Sequence, residues 1–303
     1  MDLVNHLPDR LLFAVPKKGR LYEKCCQLLS GCDIQFRRSN RLDIALSTNL
    51  PIALIFLPAA DIPIFVGDGN CDLGITGLDQ IKEADMFDSI EDLLDLNFGK
   101  CKLQIQVPAA GDIKKPEQLI GKKIVSSFTK LSTDYFNDLA AQNKSSEKTS
   151  IRYVGGSVEA SCALGVADAI VDLVESGETM KAAGLEAIDT LLDTSAHLIS
   201  SKKPKFPELV DKIHQRFEGV MAAQKYVLCT YNAPRSILPT CLEITPGRRS
   251  ATISALEQKD PKAEEWVSIS SMIEQKKAGD IMDDLKKVGA SDILLFELRN
   301  CRV

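Results

Sequence analysis

Apolar residues recur along this chain in two rhythms, alternation and a three-to-four spacing, and the switches between them mark its elements. Arg10 to Pro16 reads as a first strand, and Lys17-Lys18-Gly19-Arg20 as a basic turn into a helix. Leu21, Cys25, Leu28 and Leu29 share one face of that helix, which stops at Gly31. Leu50 to Phe56 reads as a buried strand, Ile62 to Val66 as a helix over it, and Asp72 to Ile75 as a short strand between glycine-rich turns. Cys101 to Val107 alternates, and Pro108 to Gly111 reads as a crossing into another lobe. There the pattern restarts, with a strand at Lys122 to Val125, a loop from Ser126 to Leu131 and a helix from Thr133 to Ala141. Ile151 to Val154 is a further strand, and Ser157 is placed to cap a helix running to Gly165. Leu191 and Leu192 suggest a return strand, and Pro207 to Gln224 carries a long apolar stripe at helical spacing. The tail then reads strand (Tyr226 to Thr230), helix (Arg235 to Leu242), two strands (Ala251 to Leu256, Trp266 to Ile273), helix (Glu274 to Val288, closed by Gly289) and strand (Ile293 to Leu298). That β-α-β-β-α-β order is the ferredoxin-like one.

One stretch, Ala167 to Met180, organises the rest. Ala169 to Val174 reads as a buried strand, followed by Glu175-Ser176-Gly177-Glu178-Thr179 and a helix restarting near Met180. Asp168 and Asp172 share a parity and so one face, with Asp172 at the carboxyl end, where open α/β sheets bind ligands. Gly177 admits close backbone approach, and Ser176 and Thr179 offer hydroxyls. An acid followed by Ser-Gly-x-Thr suits a phosphorylated ribose; an ordinary strand–helix connection with solvated acids fits the same residues. The turn at Lys17 to Arg20 is open to the same two readings, phosphate contact or solvated charge. At Asp72 to Gly77 the glycines either expose backbone at a cleft rim or merely allow tight turns. Glu159 either complements a helix terminus or faces a cleft.

At 303 residues and 45% apolar the chain can bury two or three domains' worth of core. A net charge of −5 argues against a nucleic-acid partner. The apolar run from Leu50 to Ala60 holds two prolines and is too short for a bilayer span, and the amino terminus lacks an apolar leader, so a cytoplasmic location and no membrane partner are expected. Nine cysteines, an odd number with no CxxC, read as reduced core thiols, and a structural zinc site is not expected. His6, His197 and His214 are scattered and read as ordinary surface or core histidines.

In order along the chain, "VPKKGRL", "DIPIFVGDGNCDLGITG", "GSVE", "GVADAIVDLVESGETMKAAGL" and "PRS…ITPG…GASDILLFELRNCRV" resemble the motifs of the ATP phosphoribosyltransferase family in its long form. Two departures stand out: Ala60 replaces the family's Arg before Asp-Ile-Pro, and Val125 to Leu131 replaces its Ala-Thr-x-Tyr-Pro-Asn-Leu run. The resemblance implies an α/β fold, a two-lobed part like a periplasmic binding protein plus a C-terminal ferredoxin-like regulatory domain. It puts lobe one at about 1–105 and 190–222, lobe two at 106–189 and the regulatory domain at 223–303. It implies transfer of phosphoribose from phosphoribosyl diphosphate to N1 of ATP, the first step of histidine biosynthesis, with Mg²⁺ carried mainly by the substrates. Asp172 would hold the ribose hydroxyls, directly or through Mg²⁺, and Glu175, Ser176, Gly177, Glu178 and Thr179 would cradle the 5′-phosphate beside Glu159. Lys17, Gly19 and Arg20 would meet ATP or pyrophosphate, with Asp72, Gly74, Thr76 and Gly77 on the opposite rim. L-Histidine, as inhibitor, would meet Asn232, Arg248, Thr252 and Asp292, in a homo-oligomer of up to six chains. The rival reading is a non-catalytic binding module, a solute receptor or effector domain. A receptor would need an export signal and a regulator a basic DNA-binding segment, and neither is visible.

Overall fold

The computed structural model describes residues 7–39, 42–257 and 264–302, which leaves His6 outside the described residues. The chain first builds β1 (Leu11–Pro16), α1 (Arg20–Gly31), β2 (Ile44–Leu46), β3 (Ile52–Leu57), α2 (Ile62–Gly67), β4 (Leu73–Gly77), α3 (Leu78–Glu83) and β5 (Ile90–Asp95). It crosses to a second lobe made of β6 (Cys101–Pro108), β7 (Lys123–Ser126), α4 (Thr129–Gln142), β8 (Ser150–Tyr153), α5 (Ala160–Ala163), β9 (Ala169–Val174), α6 (Glu178–Ala182) and β10 (Leu185–Thr194). It then returns through β11 (Ala196–Ser201) to α7 (Pro207–Ala223). The first sheet has the order β2-β3-β1-β4-β11-β5, and the second β10-β6-β9-β7-β8. In the first, β1 pairs in parallel with β3 and β4, and β11 runs antiparallel between β4 and β5. Every residue of β4 and β11 is buried, as expected of central strands covered on both faces. Two α/β lobes joined by two crossings make the arrangement of a periplasmic binding protein.

The crossings lie earlier and later than the motifs suggest. β6 pairs with β9 and β10 from Lys102 and Cys101 onward, and β10 runs on to Thr194, so both strands belong wholly to the second sheet. The chain therefore crosses before Cys101 and after Thr194, not at 105 and 190. The bulk of Pro108 to Gly111 is a turn within lobe two. The crossing segments hydrogen-bond to each other: Leu96 donates to the Ala196 carbonyl and Ala196 to that of Phe98, each at 2.9 Å. A further tie joins the lobes where the sequence reads as loop. Glu83, ending α3, accepts from the backbone of Lys130 at 2.9 Å and of Leu131 at 3.0 Å. A carboxylate there satisfies donors that the helix itself leaves free, so α4 begins at Thr129, not Thr133. Near Gly165 the difference runs the other way. Ser157 is left-handed at φ +50°, caps nothing, and α5 is a single turn.

A second compact unit comprises Leu28–Asp33 and Lys212–Val303. Its sheet joins β12 (Tyr226–Pro234), β13 (Thr252–Ala255), β14 (Trp266–Glu274) and β15 (Ser291–Glu297) in the order β13-β14-β12-β15, antiparallel throughout. With α8 (Leu238–Ile244) and α9 (Ala278–Val288) this is the ferredoxin-like order. Val227, Cys229, Tyr231 and Ala233 alternate inward to the helices, and Tyr231 bonds Thr245 Oγ1 at 2.6 Å, which satisfies a buried hydroxyl.

Gly74 shows what the glycine-rich run does. A Cβ there would lie 2.7 Å from Ile62 Cγ2 and 2.9 Å from Val66 Cγ2, both on α2. The missing side chain lets α2 lie on β4. Gly74→Ala should therefore destabilise the fold by about 1–3 kcal/mol, as overpacking does, visible as a lower denaturant midpoint. A midpoint equal to wild type would show that the helix moves aside freely.

Candidate functional site

β9 carries the centre of the site. Ile170 and Val171 are buried, and Asp172 emerges half-buried where the strand leaves the core. Asp172 Oδ1 accepts the Leu173 N–H at 2.8 Å. Beyond Val174 the chain turns through Gly177 at φ +78°, left-handed backbone that favours glycine, and α6 starts at Glu178. Asp172, Glu159, Glu175, Ser176, Gly177 and Thr179 line one cavity of about 340 Å³. Glu178 does not line it. Asp168 faces elsewhere, its carboxylate accepting from the Lys123 N–H at 2.9 Å at the far end of the strand.

The electrostatics of this cavity are lopsided. Three acids line it, with no lysine or arginine among its described lining residues. Burial, and then the Glu159 charge, raise the Asp172 carboxyl above the usual carboxylate range, against the lowering effect of the Leu173 N–H. Gln106 also lines it, is 2% exposed, and its Oε1 has no partner among the described residues. The motifs do not single out Gln106, though its polar place in the alternating Leu103-Gln104-Ile105-Gln106-Val107 was a usable signal. An adjoining cavity of about 820 Å³ brings lysines near, Lys100, Lys102 and Lys181, together with the acids Asp95, Glu175 and Asp193.

Across from the loop, Lys18, Gly19, Gly77, Asp79 and Ser195 line a smaller cavity of about 170 Å³. Gly19 stands at φ +83° and Arg20 opens α1. Lys17 is elsewhere, its Nζ 2.7 Å from Asp43, so Lys18 is the lysine on the cavity wall. Of the four rim residues expected opposite, only Gly77 lines the cavity. Asp72 precedes β4 at the other end of the strand, and accepts from the backbone of Leu12 at 2.9 Å and Lys205 at 2.6 Å. Thr76 is fully buried, its hydroxyl donating to the Ala59 carbonyl at 2.7 Å, and Gly74 packs under α2. These three hold the strand.

In the second unit, Asn232 Nδ2 donates to Asp292 Oδ2 at 2.9 Å across neighbouring strands, with Asp292 itself left-handed at φ +50°. Thr252 opens β13 in register with Ser270. Arg248 is not grouped with them. It lines a cavity of about 420 Å³ with Tyr226, Glu243 and Glu274.

Residues 58–219 match the family model for ATP phosphoribosyltransferase, and residues 223–300 that for the HisG C-terminal domain. The chain belongs to the ATP phosphoribosyltransferase family. It is 82% identical to the ATP phosphoribosyltransferase of Debaryomyces hansenii and 61% identical to that of Saccharomyces cerevisiae, in both cases over 100% of each chain. Among solved structures, the ATP phosphoribosyl transferase (HisG:HisZ) complex from Thermotoga maritima resembles it in fold, with a TM-score of 0.58 at 24% identity over 69% of this chain and 96% of that one. Among the described residues no helix is long and apolar enough to cross a membrane.

The raised Asp172 carboxyl carries a stability consequence for this phosphoribosyltransferase. A carboxyl whose pKa rises on folding favours the folded state only when protonated, so that contribution is lost as pH rises from the ordinary value through the raised one. At neutral pH the ionised group is a liability. Asp172→Asn, which keeps an acceptor for the Leu173 N–H, should raise the Tm of the ligand-free protein at pH 7, with a smaller gain near pH 4. A lower Tm at both values would show that the carboxylate is structurally required.

Proposed function

We propose that the cavity at the end of β9 binds phosphoribosyl diphosphate and that the cleft transfers its phosphoribosyl group to N1 of ATP, releasing pyrophosphate, as the first step of histidine biosynthesis. The observation that carries this reading is the single cavity joining Asp172 to the left-handed turn at Gly177 and the hydroxyls of Ser176 and Thr179. Asp172 takes the ribose hydroxyls, for which a carboxylate and the neighbouring Gln106 amide are suited as acceptors. The backbone and hydroxyls of Ser176 to Thr179 take the 5′-phosphate. ATP lies toward Lys18, Gly19 and Gly77, with the lysines of the adjoining cavity within reach of phosphate groups.

The chemistry requires little of the protein's acids and bases. Adenine N1 carries no proton at neutral pH, so its lone pair attacks C1 of the ribose without a general base. The N1–C1 bond forms, the C1–O bond to pyrophosphate breaks with its electron pair leaving on oxygen, and configuration inverts. Positioning and charge stabilisation supply the rate: the loop fixes the sugar, and Asp172 and Glu159 lie beside the positive charge that develops on it.

The donors present fit Mg²⁺ brought in on phosphate better than a protein-built cage. Asp172 and Glu159 offer carboxylates that burial leaves short of positive charge, and no group of three or more His, Cys, Asp or Glu side chains among the described residues is arranged to hold a metal. The ion, when bound, neutralises pyrophosphate and eases its departure.

The same proposal makes the second unit a receptor for L-histidine in a cytoplasmic homo-oligomer of up to six chains. Asn232 and Asp292 would meet the amino group, Thr252 lies on the same sheet, and Arg248 stands in a cavity apart. Leu294 and Phe296 of β15 are half exposed, which supports association through this sheet. A non-catalytic receptor is the alternative, and ultraviolet absorbance of ATP on mixing with phosphoribosyl diphosphate and Mg²⁺ separates the two, because N1-alkylated adenine absorbs differently.

Asp172→Asn should lower kcat/KM for phosphoribosyl diphosphate by roughly 10²-fold, as loss of a group acting on the transition state does. Near-wild-type kinetics in that folded variant would remove Asp172 from the reaction. Chelator should abolish turnover while circular dichroism stays unchanged; full turnover in excess chelator would dismiss the metal. Asp292→Ala should weaken inhibition by histidine at least several-fold, a coupling of about 1 kcal/mol or more, with uninhibited kcat nearly unchanged. Histidine acting as a simple competitor of phosphoribosyl diphosphate, equally strong on Asp292→Ala, would defeat the two-site scheme.

A further inference from the structure

Ser195 and His197 stand on the return crossing, each 9% exposed. His197 Nδ1 lies 2.8 and 3.0 Å from the two carboxylate oxygens of Asp92, and Nε2 lies 3.3 Å from Ser195 Oγ. Ser195 Oγ in turn donates to Asp95 Oδ1 at 2.9 Å. Asp, His and Ser in that order resemble a nucleophilic triad, but proton counting argues otherwise. A serine hydroxyl has one proton, and here it goes to Asp95, a carboxylate that only accepts. Oγ is left to accept from Nε2–H. Nδ1 faces the second carboxylate and must donate as well. The assignment that makes every contact a hydrogen bond protonates both ring nitrogens, so the ring is a cation and cannot serve as a base.

The place of this chain of bonds gives it consequences. Ser195 joins β10 of one lobe to β11 of the other and lines both the small lobe-one cavity and the large cavity beside the phosphate-type loop. Its carbonyl accepts the Leu78 N–H at 3.0 Å, next to Gly77 on the rim. Thr194, one residue earlier, donates to Asp79 Oδ1 at 2.7 Å. We propose that His197 is a positioning residue for the transferase reaction: clamped as an imidazolium between Asp92 and Ser195, it holds the return crossing so that the two lobes present their ligands in attacking geometry.

The groups facing the ring are Asp92 and Asp95 from β5 and Asp79 from α3. Lys100, Cys101 and Lys102 at the start of lobe two, Glu175 and Lys181 around α6, and Asp193 of β10 line the same cavity. Burial pushes the imidazole toward neutrality, but the hydrogen bond and charge of Asp92, with the charges of Asp95 and Asp79, outweigh it and hold the pKa above the ordinary 6.5. The stability this contributes is fully present below the ordinary value and is lost as pH rises through the raised one. Once Nε2 loses its proton, the Ser195 hydroxyl turns to the ring and releases Asp95, and the crossing loosens.

The inference rests on the cleft carrying the transfer, so its test has an arm independent of activity. Nitrogen NMR of the full-length protein with labelled histidine should show both His197 nitrogens protonated at pH 7 and a midpoint above 6.5; a neutral single tautomer at pH 7 overturns the clamp. In kinetics, His197→Asn keeps a donor toward Asp92 and loses Ser195. It should lower kcat by about tenfold to a hundredfold, the cost of modest misplacement, and remove the alkaline fall in kcat that follows the ring's titration. Ser195→Ala should flatten the same limb. Wild-type kcat and an unchanged pH profile in both variants would overturn the positioning role. Failure of the cleft reading looks different: the ring would titrate as described, while wild-type protein would bind no phosphoribosyl diphosphate.

Discussion

The hydrogen-bonded pair of crossing segments is the constraint on which the rest of the molecule depends. Leu96, Phe98 and Ala196 bind one another's backbones, and through them two sheets that share no strand are held at one junction. The loop after β9 and the turns after β1 and β4 lie on the two lobes that this junction joins. Glu83 on the α4 terminus adds a second tie between the lobes. Two short crossings leave few torsions to absorb a change, so a side chain that stiffens or frees one of them acts on the whole cleft.

The cavity at the end of β9 is built at the expense of local stability. Asp172 is a carboxylate partly out of water, Gly177 is in left-handed backbone, and Gln106 keeps an unpartnered buried oxygen. Each would be a flaw in a purely structural strand. Together they describe a pocket rich in hydrogen-bond acceptors. The adjoining cavity mixes lysines (Lys100, Lys102, Lys181) with acids (Asp95, Glu175, Asp193).

The second unit follows a different logic. Its inward face is apolar and its buried hydroxyls are satisfied, as with Tyr231 on Thr245. Its other face is where Asn232 meets Asp292 and where Leu294 and Phe296 are left half exposed. One face of the sheet is thus packed and apolar, and the other stands open with apolar side chains exposed.

By itself the sequence determined many of the elements, since alternation and helical spacing are local properties, but not β2, α3, β5 or the start of α4. It determined the ferredoxin-like tail, and the loop from Glu175 to Thr179 was legible because strand, glycine and hydroxyls lie within a dozen residues. The tertiary structure alone decided what distant residues do to each other. Asp72 looked like a rim acid until its carboxylate was found on the backbone of Leu12 and Lys205, and Lys17 looked like a phosphate contact until Asp43 took it. The start of α4 depends on Glu83, 47 positions from Lys130, and the hydrogen bond at His197 Nδ1 on Asp92, 105 positions away. A side chain's parity follows from its neighbours in sequence, but its hydrogen-bond partner follows from sheet order and register, and those are settled only when the whole core packs.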